Sequence, residues 1–441
     1  AGPRVLMVQP NYQFRALTTN AAEARTVRDA FARSVLWGFP IAAATGDRLL
    51  VDFTEYLVRD GNDMAARLRP GSYRFDATRS SIYPPMTLGF PKNTEMEAEL
   101  TFVRNAGAAG AGPAGGGGRG GGGGAFPEGV GSVEATAEAA RIRVHHSIVE
   151  LPDANYKTRR FDPRSGFGGL EYENYAALPG QPMTERFLRR HRLQKKDPAA
   201  AVSEPVKPIT YSLYPGAPEP IASALLDGAR WWNQAFEAAG YRDAFRVEIL
   251  PEGVSPLDIR YNVINWVHRS TRGWSTGGAV IDPRTGEIIK GVVTLGSLRI
   301  RQDYMLAEGL LSPYKAGTET PPELREWALA RIRQLSAHEV GHTLGLMHNQ
   351  IASTAHTVAQ MRNPAFANRF GPNSSIMAYG RFNQVAQPGD GITQLWSVMG
   401  PYDLAAIKYG YGVFGTNPVS ERRELAAYAE TFSRDRRLYW G

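Results

Sequence analysis

The chemistry of this chain is concentrated in His338-Glu339-Val340-Gly341-His342-Thr343-Leu344-Gly345-Leu346-Met347-His348. His338 and His342 are four residues apart, so on a helix their imidazoles lie one above the other on one face and can share one Zn²⁺. Glu339 sits beside the first ligand, where a carboxylate can take a proton from a metal-bound water. Gly345 lets the chain leave the helix through a left-handed turn, which brings His348 round as a third nitrogen ligand. Three protein ligands leave a fourth position for water, the arrangement of a catalytic rather than a structural zinc site. The competing account, an ordinary helix end with solvated or capping histidines, does not explain the combined spacing.

Further along, Ser375-Ile376-Met377-Ala378-Tyr379 follows the third histidine. With this segment the chain resembles the metzincin clan of zinc metallopeptidases, in which a methionine turn underlies a three-histidine site. The Ser-x-Met-x-Tyr form is most similar to the astacin and serralysin branches. There the tyrosine ligates zinc in the resting enzyme, then swings to stabilise the tetrahedral intermediate. The resemblance implies Met377 as the turn methionine and Tyr379 as the switch tyrosine. Without it, Met377 reads as core filler and Tyr379 as a packed aromatic.

A narrower resemblance covers nearly the whole chain. Val8-Gln9-Pro10-Asn11-Tyr12, Ala32-Arg33-Ser34-Val35-Leu36-Trp37-Gly38-Phe39 and Phe90-Pro91-Lys92-Asn93-Thr94-Glu95 are similar to bacterial zinc-dependent metalloproteases, and so are Lys195-Lys196-Asp197-Pro198, Trp231-Trp232-Asn233-Gln234-Ala235-Phe236 and Trp266-Val267-His268-Arg269-Ser270. In that family a poorly characterised N-terminal region precedes a met-zincin domain. The resemblance implies Zn²⁺ as cofactor, a polypeptide substrate, and export to the periplasm or medium of a Gram-negative-type cell. Asn349, the residue after the third histidine, fits none of the best-known metzincin families, so the substrate rules of astacins and serralysins do not transfer.

The residues support a zinc-dependent endopeptidase with Glu339 as general base and Tyr379 sharing the oxyanion charge with zinc. Two other classes fit. A catalytically silent binding module with the same fold would normally have lost Glu339 or a ligand, and all are present. A zinc amidase acting on something other than protein, such as cell-wall peptides, keeps every one of these residues.

Bulk properties narrow the field. The 441 residues suggest about two domains, each able to bury a core. With 43% hydrophobic and 21% charged residues, the composition is that of a globular protein, and no apolar run approaches the roughly 18 residues that cross a bilayer. The net charge of +7 is scattered without a basic-aromatic array, which argues against nucleic acid. The absence of cysteine removes disulfides, thiol nucleophiles, cysteine-ligated zinc and any cysteine switch. Ala1-Gly2-Pro3-Arg4 opens without a charged and then apolar leader, so a signal peptide is absent or already removed. Arg436 to Gly441 reads as an interrupted segment, and the resemblance to longer relatives implies a further C-terminal part that supplies specificity.

The elements that must position these groups form an α+β chain: a β-rich region over 1–200, then a metzincin-like domain over 206–441, a twisted mixed sheet with a long active-site helix. Strands are predicted at Arg48 to Leu57, Met96 to Val103 and Arg141 to Val149, the last two by strict alternation. The Gly- and Ala-rich 106–125 reads as a flexible loop joining two paired strands, with no phosphate-loop Lys-Ser/Thr after it. His145 and His146 fall on opposite strand faces and read as structural. Asp162, in a loop dense in charge and aromatics, has two readings. By resemblance to some metzincin pro-regions it holds latency by ligating zinc; otherwise it sits in a satisfied turn or salt bridge. As an alternative to the latency role, Arg160 or Arg164 in the same loop would orient substrate.

In the second domain, Ile209 to Leu213 is a first strand. A helix over Pro220 to Ala239 buries Ile221, Leu225, Trp232 and Phe236, and Gly240 stops it. Lys290 to Leu295 is the candidate for main-chain pairing with substrate. The site helix runs from Pro321 to Leu344, capped by Thr320, with Leu324, Trp327, Ile332 and Leu335 as its buried stripe. Asp403, in a later helix, is either a support for the ligands or a plain cap.

Overall fold

The computed structural model describes residues 3–68, 72–105, 130, 133–136, 138–269, 274–311, 322–380, 382–387 and 389–441. The Gly- and Ala-rich stretch, Thr320 and Pro321 lie outside the described residues. The architecture is α+β, with a β-rich N-terminal region and a helix-rich C-terminal one. By its contacts the chain divides into two compact units, residues 1–14 with 18–150, and residues 15–17 with 151–441.

The first unit is built on antiparallel strands. Arg4–Gln9, Ser34–Thr45 and Arg48–Val51 form a three-stranded sheet. The strand expected over Arg48 to Leu57 stops at Val51, because the Asp52 carboxylate accepts the Thr54 N–H at 2.8 Å and starts the helical turn Thr54–Leu57. A second sheet has Asn93–Arg104 at its centre, flanked by Tyr73–Ile82 and by Ala139–Val149 in antiparallel register. Ala98, Leu100 and Phe102 are buried as alternation demands. The opposite face is not simply solvated. Glu95 is buried there, its carboxylate accepting from the Asn93 amide and Ser147 hydroxyl, with His145 Nε2 at 2.5 Å. His146 points the other way, its ring 5.6 Å from that of Tyr56. Both histidines are thus structural.

The second unit carries a sheet of six strands. Ile209–Leu213, Phe245–Ile249, Asn262–Val267, Glu287–Gly296 and Arg190–His191 are parallel, and Thr276–Ile281 runs antiparallel to Glu287–Gly296. Val292 pairs with Val263 on one side and Gly278 on the other, so the Lys290 to Leu295 stretch is interior to the sheet. Its backbone groups are already used, and it cannot pair with substrate as expected. Among the described residues the strand with an unpaired edge beside the site is Thr276–Ile281.

The helix expected over Pro220 to Ala239 is broken at Trp231 into Ile221–Arg230 and Trp232–Ala238, with Leu225, Trp232 and Phe236 buried as the spacing required. The long helix Pro322–Thr343 follows Leu298–Leu311. Leu324, Trp327, Ile332 and Leu335 are buried, but the stripe is only part of the picture: from Trp327 to Thr343 no residue is exposed. A helix enclosed on every side is held by its neighbours, which suits a part that must fix ligand geometry. Gly228 allows the close approach of Ile221–Arg230, since a Cβ there would stand 2.0 Å from the Arg333 carbonyl oxygen.

Residues 151–193 are woven into this unit. Phe167 sits in its main core, and both Arg159 and Tyr156 are buried. The Arg159 guanidinium donates to the carbonyls of Tyr409 at 2.5 Å and Gly412 at 3.0 Å, satisfying the end of helix Pro401–Tyr411.

Candidate metal centre

His338 and His342 project from the enclosed helix one turn apart, with ring centroids separated by 4.9 Å. His338 Nδ1 lies 2.9 Å from the carbonyl oxygen of Ile376, and His342 Nδ1 lies 2.8 Å from that of Leu346. A carbonyl can only accept, so both Nδ1 atoms carry the proton and both Nε2 atoms present a lone pair. The helix ends where Gly345 takes φ +108°, and a Cβ there would stand 2.1 Å from the Arg189 carbonyl oxygen. The turn returns His348 to the same place, its Nε2 3.0 Å from that of His342. One nitrogen from each of the three rings falls within 4.8 Å of the others. Among the described residues no other such group of His, Asp or Glu could hold a metal ion. The donor set fits a metal that favours imidazole nitrogen.

Burial shapes the electrostatics. It pushes the imidazolium form of His338 down to about 3, aided by neighbouring His342, and that of His342 to about 4; His348 is lowered for the same reason. All three rings are therefore neutral and ready to ligate at neutral pH. Glu339, beside the first ligand, is pushed up to about 7 by burial, against the pull of Arg331, Arg299 and the Gly277 amide.

Below the rings, Met377 is fully buried against the helix. A Cβ on Gly341 would stand 2.4 Å from Met377 Sδ and 2.7 Å from Trp232. The turn bearing Met377 is held by Asp403, which accepts from the Ser375 hydroxyl at 2.7 Å and from the Ile376 and Gly400 amides, each at 2.8 Å. Asp403 is thus both a helix cap and a support: the peptide unit it fixes carries on to the Ile376 carbonyl that orients His338. Full burial raises its carboxyl to about 7.

The loop carrying His348 is held by two remote segments. Met347 N–H donates to the Gly166 carbonyl at 2.7 Å, and Gly168 N–H to the Gly345 carbonyl at 2.8 Å. From the far end of the chain, Trp440 Nε1 donates to the His348 carbonyl at 3.0 Å, and Asn349 Nδ2 to the Tyr439 carbonyl at 2.9 Å. Sequence reasoning missed Phe167, Gly168 and Trp440 as supports, because nothing local marks a partner so distant along the chain.

Tyr379 stands at the open side, 59% exposed, its ring 4.3 Å from His348 and 6.0 Å from His338. It borders a cleft of about 980 Å³ that takes in Thr276, Gly277 and Ala279 of the edge strand as well as Glu339 and the three histidines. Gly277 is required by the close approach of strand and helix, since a Cβ would lie 2.1 Å from the Glu339 carbonyl oxygen. Asp162 does not line this cleft. Its carboxylate accepts from the Arg164 backbone and guanidinium, each at 2.9 Å, and Arg164 reaches on to Glu430 at 2.7 Å. Asp162 is the satisfied turn and salt bridge, and Arg164 is engaged with it.

Together these features define a metal-binding domain whose ligands come from a helix, a glycine turn and the loop after it. Residues 320–441 match the Met-zincin family, and residues 1–196 match a Domain of unknown function (DUF5117). The chain thus carries a Met-zincin domain in its C-terminal part, preceded by a DUF5117 region. No curated protein matches it. Among the described residues no helix is long and apolar enough to cross a membrane.

Proposed function

We propose that this protein is a zinc-dependent endopeptidase. The observation that carries the reading is the convergence of three neutral imidazole nitrogens beside the buried carboxylate of Glu339, at the side of an unpaired strand edge. Zn²⁺, when bound by His338, His342 and His348, supplies Lewis acidity toward water and a carbonyl oxygen. Glu339 accepts the proton of the attacking water and delivers it to the leaving amine, a role that a carboxyl held near neutrality suits. Tyr379 donates its hydroxyl to the developing oxyanion. Met377 and Gly345 serve the ligands, one as their packed floor and the other as the turn that returns His348. Thr276–Ile281 binds extended substrate by main-chain pairing, which favours a polypeptide. Export from the cell belongs to this proposal on the strength of the family resemblance.

The test is zinc stoichiometry together with cleavage of a mixed peptide library, wild type beside Glu339→Ala. The expected result is one zinc in both and cuts only in wild type. Cuts by the zinc-loaded variant would remove Glu339 from its role. Zinc in both with cuts in neither would turn the reading toward a non-protein amide.

A further inference from the structure

Seven arginines fall between residues 159 and 192, and all but one are committed within the fold. Arg159 and Arg190 are buried and donate to backbone carbonyls, Arg159 to those of Tyr409 and Gly412 and Arg190 to that of Lys157. Arg160, Arg164, Arg186 and Arg192 pair with carboxylates, Arg160 with Glu185 at 3.3 Å. Arg189 is the exception. Its side chain is exposed, lines the cleft, and makes no hydrogen bond or ion pair among the described residues. At the other end of the cleft, Arg299 and Arg331 are buried, Arg299 facing Asp303 and Arg331 packed on the Trp396 ring.

The backbone fixes where Arg189 stands. Its N–H donates to the Gly168 carbonyl at 2.9 Å, and its own carbonyl packs against Gly345. A Cβ on Gly168 would lie 3.6 Å from Met347 Sδ and 3.7 Å from Arg189 Cδ, so the arginine stem and Met347 flank one point of the cleft wall beside the third ligand. The open strand edge leads to the same end. Gly277 lies against Glu339 and His342, Ala279 pairs with Gly291, which lies against Thr343, and Ile281 lines the cleft beyond them. From Gly277 to Ile281 an extended chain advances about 13 Å. A solvated arginine needs no partner, so freedom alone decides nothing. What decides is a free guanidinium on a fixed backbone, at the end of the cleft to which the unpaired edge runs.

We propose that Arg189 is a specificity-determining residue that binds a carboxylate of the substrate at the third-ligand end of the cleft. This rests on the peptidase reading of the same cleft. The planar guanidinium fork matches a carboxylate, and the run of the edge strand puts that group roughly two to four residues from the cut bond. It belongs to an Asp or Glu side chain or to the C-terminus of a short substrate, which present the same chemistry.

The test uses the full chain as zinc-loaded Glu339→Ala, which allows binding to be measured without turnover. Labelled peptides carry a single Glu, Gln or Lys walked along one neutral sequence, each made as C-terminal acid and as amide, and affinity is read by fluorescence anisotropy. At one position Glu is expected to bind about threefold to fivefold tighter than Gln, the scale of an ion pair open to solvent, and added salt should shrink the gap. Adding Arg189→Gln should bring the ratio close to one. Arg189→Glu should reverse it, so that Lys binds tighter than Gln at that position alone. A preference tied to the free C-terminus and lost in Arg189→Gln would identify the chain end as the ligand and support the same residue.

Equal binding of Glu and Gln peptides and of acid and amide forms overturns the inference, as does no binding at all. A preference that survives Arg189→Gln, or one spread evenly over every position, overturns it too, since it reports the general field of the cleft. Zinc content checks each variant, and Arg189→Lys, which keeps the charge but loses the fork, should retain a smaller preference where Arg189→Gln fails to fold. Wild-type cleavage run in parallel separates the two readings. Cuts without preference for acid overturn the role of Arg189 alone. Acid-selective binding without cuts keeps that role and removes the peptidase.

Discussion

The floor and the rim of the metal site are built differently. The floor comprises the helix from Trp327 onward, the turn Ser375 to Met377, and Asp403. Every one of these groups is buried or nearly so, and hydrogen bonds tie the turn to His338 on one side and to Asp403 on the other. The rim comprises Tyr379, Met347 and Trp274, all exposed, beside a strand with a free edge. The floor fixes where three nitrogens meet, and its rigidity is that of a packed core. The rim leaves hydrogen-bonding capacity open, which a packed core never does. Placing three nitrogens and leaving an edge open to the cleft fall to separate residues here.

That division can be broken by substitutions that ought to act on one side only. The largest effect is expected at the floor. Asp403 has its carboxyl raised from near 3.8 to about 7, so the folded state holds that proton more tightly than the unfolded chain does. Its contribution is complete below about pH 4 and is lost as pH rises toward 7. Metal-free Asp403→Asn should lack that decline, and wild type should lose on the order of 4 kcal/mol relative to it across the window. Urea titrations at a series of pH values measure the difference, and parallel curves would sink the assignment.

At the rim, Tyr379→Phe should lower kcat about 100-fold, the cost of one oxyanion donor, with zinc content and thermal stability unchanged. A loss of zinc in this variant would put Tyr379 on the floor. Gly341→Ala should cost about 1–3 kcal/mol of stability by driving a methyl group into Met377 and Trp232, and zinc affinity should fall with it. The smallest effect belongs to Trp440→Phe, which removes one hydrogen bond to the His348 carbonyl. We expect about 1 kcal/mol of stability and up to about tenfold in zinc affinity, read by competition with a chelator.

The ligands, the glycine turn and the buried stripe of the site helix were legible because each is a local pattern: spacing on one helix, a residue that tolerates positive φ, a repeat of 3.6. The DUF5117 match shows why other parts were not. It runs to residue 196, yet Phe167, Arg190 and His191 pack in the unit of the metal site. No periodicity announces a strand of two residues inserted in a sheet formed much later in the chain. The edge strand was misassigned for a related reason. Lys290 to Leu295 has the stronger apolar pattern because it is interior, whereas Thr276–Ile281, with two glycines for close approach, looks weak in sequence.

The supports of the His348 loop also set a timetable. Gly166 and Gly168 leave the ribosome long before the helix they help to complete, and Tyr439 to Gly441 follow well after it. A nascent chain therefore contains all three ligands before it contains the means to hold the third in place. Contacts this far apart in sequence close late, so the third ligand is fixed in place only after Tyr439 to Gly441 have been made.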